Sequence, residues 1–343
     1  MATITDVSKR AGVSRSTVSR VVADNGYVSE EKRQAILKAI TELGYRPNTM
    51  ARGLRSNRSN IIGGVVVNVS SPFYAQMVGG TQVACRAAGK SLLVTSGHAE
   101  IEAESRAIIE LLDRACDGLI LYLENPIRAD VLDILRKSGV PVVTIGGDDC
   151  PVARAHIAID NFTGAREAMR HLLALGHRRI AHLSGGLIYR DSRERLRGIE
   201  AALGEYGMTL SDIRVEYGEF EERFGFAGTE TLLGSGEDFT AIFAGDDDIA
   251  AGALLALKRH GRRVPEDVSL IGFDDNFHAR HLTPALTTVR QPVGEAGQLA
   301  ANLLLQLLAG EKLEHTEITV PTQLVLRESV AQPRLTEVMK ETA

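Results

Sequence analysis

Cysteine is scarce in this chain: three residues in 343, Cys85, Cys116 and Cys150. An odd number without metal-ligand spacing excludes a disulfide framework and a zinc ribbon, leaving buried or reduced thiols as the expectation. No apolar run approaches the length of a membrane span, and the start lacks a charged-then-apolar secretory pattern, so a cytoplasmic location is expected. Nucleotide chemistry has no foothold. Gly89-Lys90-Ser91 has Ala84 where a phosphate loop needs glycine, and no glycine-rich fingerprint follows the first strand. His278 and His281 have no third ligand marked out nearby, and no serine stands in a nucleophile elbow. No catalytic constellation, cofactor or metal is therefore expected.

Charge is unevenly spread. The chain carries a formal −5 overall, yet residues 1–60 hold eleven basic and five acidic side chains. That is +6 for the head, so the overall −5 leaves −11 for the rest. A basic head on an acidic body reads as a polyanion-binding module joined to a domain with another task.

The head itself is the most specific stretch. Two short helical patterns in TITDVSKRAGVSRSTVSRVV meet at Gly12-Val13-Ser14. Ile4, Val7, Ala11, Val13, Val18, Val21 and Val22 can fold inward, leaving Arg15, Ser16, Thr17, Ser19 and Arg20 outside. A helix, a glycine-containing turn and a second helix with a polar, basic face suit the DNA major groove. The plainer alternative is a helical hairpin in which Gly12 only caps the first helix. A third helix opens at Ser29, a candidate cap, with Glu30 and Glu31 in its first turn, and stops at Gly44. The segment from Pro47 through Asn60 has few apolar positions and reads as a hinge that orders only with a partner.

From Ile61 the texture alternates between buried-strand runs (IIGGVVV, SLLVTS, DGLILYL, PVVTIG, RRIAHL, TAIFAG, DVSLIGF) and amphipathic helices such as Glu102–Arg114, Arg166–Leu175 and Ala250–His260. Continuous apolar strands between helices imply parallel sheets covered on both faces, and their number suits two sheets better than one. Such sheets bind ligands beyond the carboxyl ends of their strands.

The head, then ELGYRPNTMARGLRS, and then IIGGVVVNVSSPFY, AIDNFTGAREAMRHLLALGHRRIAHLSG, AGDDDIAAGAL, VPEDVSLIGFDD and LTPALTTVRQP in that order resemble the LacI/GalR family of bacterial transcription regulators, its galactose and β-glucoside branch in particular. The resemblance runs from about Thr3 to Ser329. It implies a helix-turn-helix head over 1–46, a hinge helix and linker over 47–60, and an effector-binding, dimerising core over 61–343 similar to periplasmic sugar-binding proteins. Lobe 1 is expected at about 61–159 and 291–321, lobe 2 at about 160–290 and 322–330.

The resemblance also carries roles onto residues. Arg15, Ser16 and Arg20 occupy base-reading positions, arginine being suited to bidentate contact with guanine. Thr5, Ser14, Thr17, Ser19 and Asn25 are placed as phosphate contacts, which fix register. Asn48 and Ala51 lie on the hinge face, and Leu54 matches a minor-groove wedge. The implied effector positions are Asn68, Ser71, Phe73, Tyr189, Asp191, Arg195, Phe220, Asp246 and Asp274. Arg195 and Asp274 suit adjacent sugar hydroxyls, while Phe73 and Phe220 divide between apolar wall and core packing. Two positions depart from the pattern: Asp246 stands where relatives often carry Asn, and Gly146 where some sugar-responsive relatives carry Asp.

The expected protein is a nucleoid-associated repressor of sugar-utilisation genes. It works as a homodimer on a pseudo-palindromic double-stranded operator and is released by a small sugar-like effector. The end of the chain offers no leucine heptad for higher assembly. Three alternatives stay open: a regulator using a non-sugar corepressor, a solute-binding protein without DNA activity, and, more distantly, a two-lobed sugar-modifying enzyme.

Overall fold

The computed structural model describes residues 2–22, 25–45, 58–147, 150–236 and 238–334. Asn48, Ala51 and Leu54, the three hinge positions, lie outside the described residues. The chain divides into two units, Met1–Ser59 and Asn60–Ala343.

In the first unit, α1 (Ile4–Ala11), α2 (Arg15–Val22) and α3 (Glu30–Leu43) close on Val7, Val18, Val21, Ile36 and Ala39. Thr3 and Asp6 form a reciprocal capping box that starts α1. Gly12 ends it at φ 65°, a left-handed turn that only glycine adopts without strain, and this sends α2 across α1. Arg10 Nε donates to Glu42 Oε2 at 2.8 Å, tying α1 to α3. Ser29 holds the N-cap position of α3, but its hydroxyl makes no capping hydrogen bond, contrary to the sequence expectation. Glu30 and Glu31 are left to answer the exposed N–H groups of that turn.

The second unit carries two six-stranded sheets. The first contains β1 (Ile61–Val66), β2 (Ser91–Ser96), β3 (Gly118–Leu121), β4 (Val142–Ile145), β5 (Ala153–Ile159) and β11 (Glu317–Val320), in the order β11-β5-β4-β3-β1-β2. The second contains β6 (Ile180–Gly185), β7 (Arg214–Gly218), β8 (Ala241–Ala244), β9 (Ser269–Asp274), β10 (Thr287–Arg290) and β12 (Gln323–Val325), ordered β12-β10-β9-β8-β6-β7. Helices α4 (Pro72–Ala87), α5 (Ile101–Asp113), α6 (Ala129–Ser138) and α11 (Val293–Ala309) belong to lobe 1. Helices α7 (Asn161–Ala174), α8 (Arg190–Glu205), α9 (Glu222–Gly234) and α10 (Asp247–Arg259) belong to lobe 2.

The chain passes between sheets after β5, after β10 and after β11. All pairings are parallel except one: β12 runs antiparallel to β10. Only Pro321 and Thr322 separate β11, in the first sheet, from β12, in the second. The central strands β3, β6, β8 and β9 bury every residue, as sheets covered on both faces require. The carboxyl ends of β1, β3, β6, β8 and β9 carry the residues that line the cleft described next.

Candidate DNA-reading face and interlobe cleft

In the head, the apolar stripe of α2 (Val18, Val21) is buried against α1 and α3, which turns Arg15, Ser16 and Arg20 to solvent. Ser14 accepts from the Thr17 backbone N–H at 3.2 Å and so caps α2. Its hydroxyl also lies 2.7 Å from Ser16 Oγ and 2.8 Å from Thr17 Oγ1. Asn25 is exposed, whereas Thr5, Thr17 and Ser19 are half-buried. The face therefore holds two exposed arginines one and a half turns apart, bordered by hydroxyls and open helix N–H groups. That composition suits a phosphate-lined groove with purine acceptors on its floor.

In the core, a cleft opens between the lobes, lined by Ser71, Phe73, Tyr74 and Glu124 from lobe 1 and by Tyr189, Asp191, Arg195, Phe220, Asp246 and Asp274 from lobe 2. Its centre is Arg195 on α8, only 4 % exposed. Nε donates to Asn161 Oδ1 at 2.8 Å and NH1 to the Gly245 carbonyl at 2.6 Å. The guanidinium also lies over the Phe273 ring at 4.0 Å. NH2 remains, 3.7 Å from Asp274 Oδ1 and 3.8 Å from Asp191 Oδ2. Two of the three nitrogens thus fix the fork, and the third faces carboxylates rather than a hydrogen-bond partner.

Asp274 sits at the end of β9 with φ 107°, a strained conformation for a side-chain-bearing residue. The next residue holds it there. Asp275 is gripped by Arg290 (2.7 Å) and by Arg327. Gln291 Nε2 donates to Asp274 Oδ1 at 2.6 Å. Burial pushes the Asp274 carboxyl up to about 7, against the pull of Arg195. Asp246 caps α10 by accepting from the Ile249 N–H at 2.7 Å, so one of its oxygens belongs to the fold, and burial raises its carboxyl too.

Of the nine sequence-derived cleft residues, eight come together; Asn68 does not. Its Oδ1 accepts from the Ser70 N–H at 2.9 Å, and it lines a neighbouring groove that shares Ser71 and Phe220 with the cleft. Phe73 serves both fates, since it lines the cleft and belongs to the lobe 1 core. Tyr189 stacks on Phe220 at 5.3 Å and donates its hydroxyl to Glu219 at 2.6 Å. Gly146, at φ 88°, explains its own departure from the family pattern. A β-carbon there would stand 3.0 Å from the Tyr122 ring, which occupies that space.

Sequence reasoning missed Tyr74, Glu124 and Tyr122. Tyr122 donates to Asp191 Oδ2 at 2.9 Å, and Glu124 Oε2 accepts from the Arg190 N–H at 3.0 Å, so both reach from lobe 1 to the start of α8. A signal was present: both follow the buried run GLIL, and positions just past a parallel strand's carboxyl end are where such sheets meet ligands.

Comparison with known proteins places these features. Residues 3–48 match the profile of bacterial regulatory proteins of the lacI family, and residues 169–330 that of the periplasmic binding protein-like domain. The HTH-type transcriptional repressor PurR of Erwinia tasmaniensis is 35% identical over 332 residues, 96% of this chain and 97% of that one. The lac repressor dimer, bound to operator and an anti-inducer, superposes with a TM-score of 0.85 at 30% identity, covering 96% of this chain and 99% of its own. A complex of the transcriptional regulator CelR with cellobiose does so with a TM-score of 0.71 at 35% identity, covering 96% and 100%.

Proposed function

Because the chain belongs to the lacI family of bacterial regulatory proteins, binding operator DNA as a dimer and a small molecule in its core, we infer that the interlobe cleft is the effector site and that its effector is a sugar. The carrying observation is the convergence of Arg195 with Asp191, Asp246 and Asp274 beside the aromatic walls Phe73, Tyr189 and Phe220. A planar donor fork among carboxylate acceptors matches vicinal hydroxyls, which both donate and accept, and an aromatic ring covers the apolar face of a pyranose. CelR, seen with cellobiose, gives the reading a precedent in a protein of the same fold.

In this reading Arg15, Ser16 and Arg20 choose bases, while Thr5, Ser14, Thr17, Ser19 and Asn25 hold phosphates. The segment containing Asn48, Ala51 and Leu54 transmits lobe closure to the heads. Effector binds one lobe arrangement more tightly than the other, which is the thermodynamic requirement for any switch. The protein catalyses no reaction, and it acts in the cytoplasm.

Two measurements test this. Thermal stabilisation of the purified chain by a panel of neutral mono- and disaccharides identifies the effector, since a ligand bound to the native state raises its apparent stability. Footprinting on DNA upstream of neighbouring sugar-utilisation genes, with and without that sugar, tests the switch. Stabilisation by nucleobases and by no sugar would replace the sugar reading with a non-sugar corepressor.

A further inference from the structure

The cleft holds more negative charge than its one cation answers. Glu124, Asp191, Asp246 and Asp274 line it with Arg195 as the only basic side chain among the lining residues. Arg195 approaches Asp191 and Asp274 alone, and two of its nitrogens are committed to Asn161 and Gly245. Among the described residues, Asp246 and Glu124 have no ion-pair partner within 4 Å.

Each of these carboxylates has one oxygen held by the fold: Glu124 by the Arg190 N–H, Asp191 by Tyr122, Asp246 by the Ile249 N–H and Asp274 by Gln291. The second oxygen of each has no hydrogen-bond donor among the described residues. Gln291, 3 % exposed and outside the cleft lining, spends Nε2 on Asp274. The four free carboxylate oxygens thus give the cleft an acceptor-rich wall beside the hydroxyls of Ser71, Tyr74 and Tyr189, and a neutral sugar would bring no charge to answer Asp246 and Glu124.

We propose that the effector carries an ammonium group on a hydroxylated ring, as an amino sugar does, with the ammonium seated among Asp246, Asp274 and Glu124. This rests on the interlobe cleft being the effector site. Buried carboxylates are tolerated only when paired or protonated. Here the second course applies: burial pushes Asp274 and Glu124 up to about 7 and raises Asp246 as well. The groups facing them are Arg195 and Asp191 on α8, Asp248 on α10, Arg193 on α8 and Glu104 on α5. A seated ammonium favours the ionised carboxylates, so binding expels protons to buffer. Anionic sugars, the uronates and sugar phosphates, meet the opposite field and are excluded.

The test is calorimetry of the full chain at pH 7 with hexosamines, the parent hexoses and the matching uronates of gluco, galacto and manno configuration. Repeating each titration in buffers of different ionisation enthalpy counts the protons released. The expected result is a hexosamine binding about tenfold more tightly than its parent hexose, the gain from charging one hydrogen-bonding partner, with net proton release. Asp246→Asn keeps an oxygen to cap α10 and should erase most of that preference while the parent hexose still binds. A parent hexose binding as tightly as its amine, or a uronate binding at all, overturns the proposal but leaves the sugar effector standing. Binding by none of the probes overturns the proposal, and the sugar reading falls with it only if the neutral mono- and disaccharide panel also fails to stabilise the chain.

Discussion

The Tyr122 hydroxyl donates to Asp191 Oδ2 across the lobe boundary at 2.9 Å. Tyr122 follows β3 in lobe 1, and Asp191 lies in the first turn of α8 in lobe 2, four residues before Arg195. The bond therefore couples lobe apposition to the carboxylate that faces the Arg195 guanidinium. Tyr122→Phe removes the donor and keeps the ring that packs on Tyr74 at 5.2 Å. The expected result is an effector affinity lowered about fivefold, roughly 1 kcal/mol, with operator binding of the effector-free protein unchanged. Titration calorimetry and gel shift measure the two quantities, and an unaltered effector affinity would show that other contacts hold the lobes.

Glu124 makes the core pH-sensitive. Burial, then the Asp191 charge, pushes its carboxyl from the usual 4.5 up to about 7. The folded value lies above the unfolded one, so the stabilisation of the protonated form is complete below about 4.5 and is lost as pH rises through about 7. Glu124→Gln cannot ionise, and its amide oxygen still accepts from the Arg190 N–H. The variant should match the parent chain at pH 4.5 and exceed it at pH 8 by about 1–3 kcal/mol in denaturant unfolding. A constant difference across that range would mean that ionisation of Glu124 carries no cost.

Why the sequence spoke clearly in some places and not in others follows from the range of the interactions. The head was legible because its signals are local: Gly12 turns, Ser14 caps, and Val18 and Val21 sit one helical turn apart. The parallel strands β1, β3, β6, β8 and β9 announced themselves as continuous apolar runs. Edge strands β7, β11 and β12 did not, since exposed residues such as Glu317 and Gln323 interrupt them. The pairing of β12 with β10 joins residues more than thirty positions apart, which no local pattern encodes. In the cleft, Arg195 and Asp274 came from family resemblance. Glu124 and Tyr122 acquire meaning only when lobe 1 is laid against α8, a contact 66 to 69 residues away along the chain. Asn68 stands apart from the other eight for a local reason: its Oδ1 closes its own turn on the Ser70 N–H.

Arg195→Lys separates charge from geometry. Lysine keeps the positive charge but cannot donate to Asn161 Oδ1 and Gly245 O while also facing Asp274. The variant should lose effector response by more than tenfold and retain operator affinity, because Arg195 lies in the core unit and not in the head. The check is a gel shift titrated with effector, with the unfolding curve of the variant recorded alongside. Loss of operator binding in a folded variant would mean that Arg195 sets the resting conformation and not the response alone.

At the DNA end, two substitutions should fail differently. Arg20 is exposed at the end of α2, and Leu54 lies outside the described residues in the segment read as the hinge. On the proposed reading Arg20 contacts a base edge, so Arg20→Ala should cost about 1–3 kcal/mol on the cognate operator and relax the preference at one base pair per half-site. On the same reading Leu54 is a wedge between base steps, so Leu54→Ala should weaken operator binding strongly and nonspecific binding little, with the duplex less bent. Leucine carries no charge, so the salt slope of nonspecific binding should stay the same for Leu54→Ala. Binding to operator and random fragments over a series of salt concentrations, with bending read from circularly permuted fragments, distinguishes them. Equal losses on operator and random DNA for Leu54→Ala would remove the wedge and leave α2 as the sole reader.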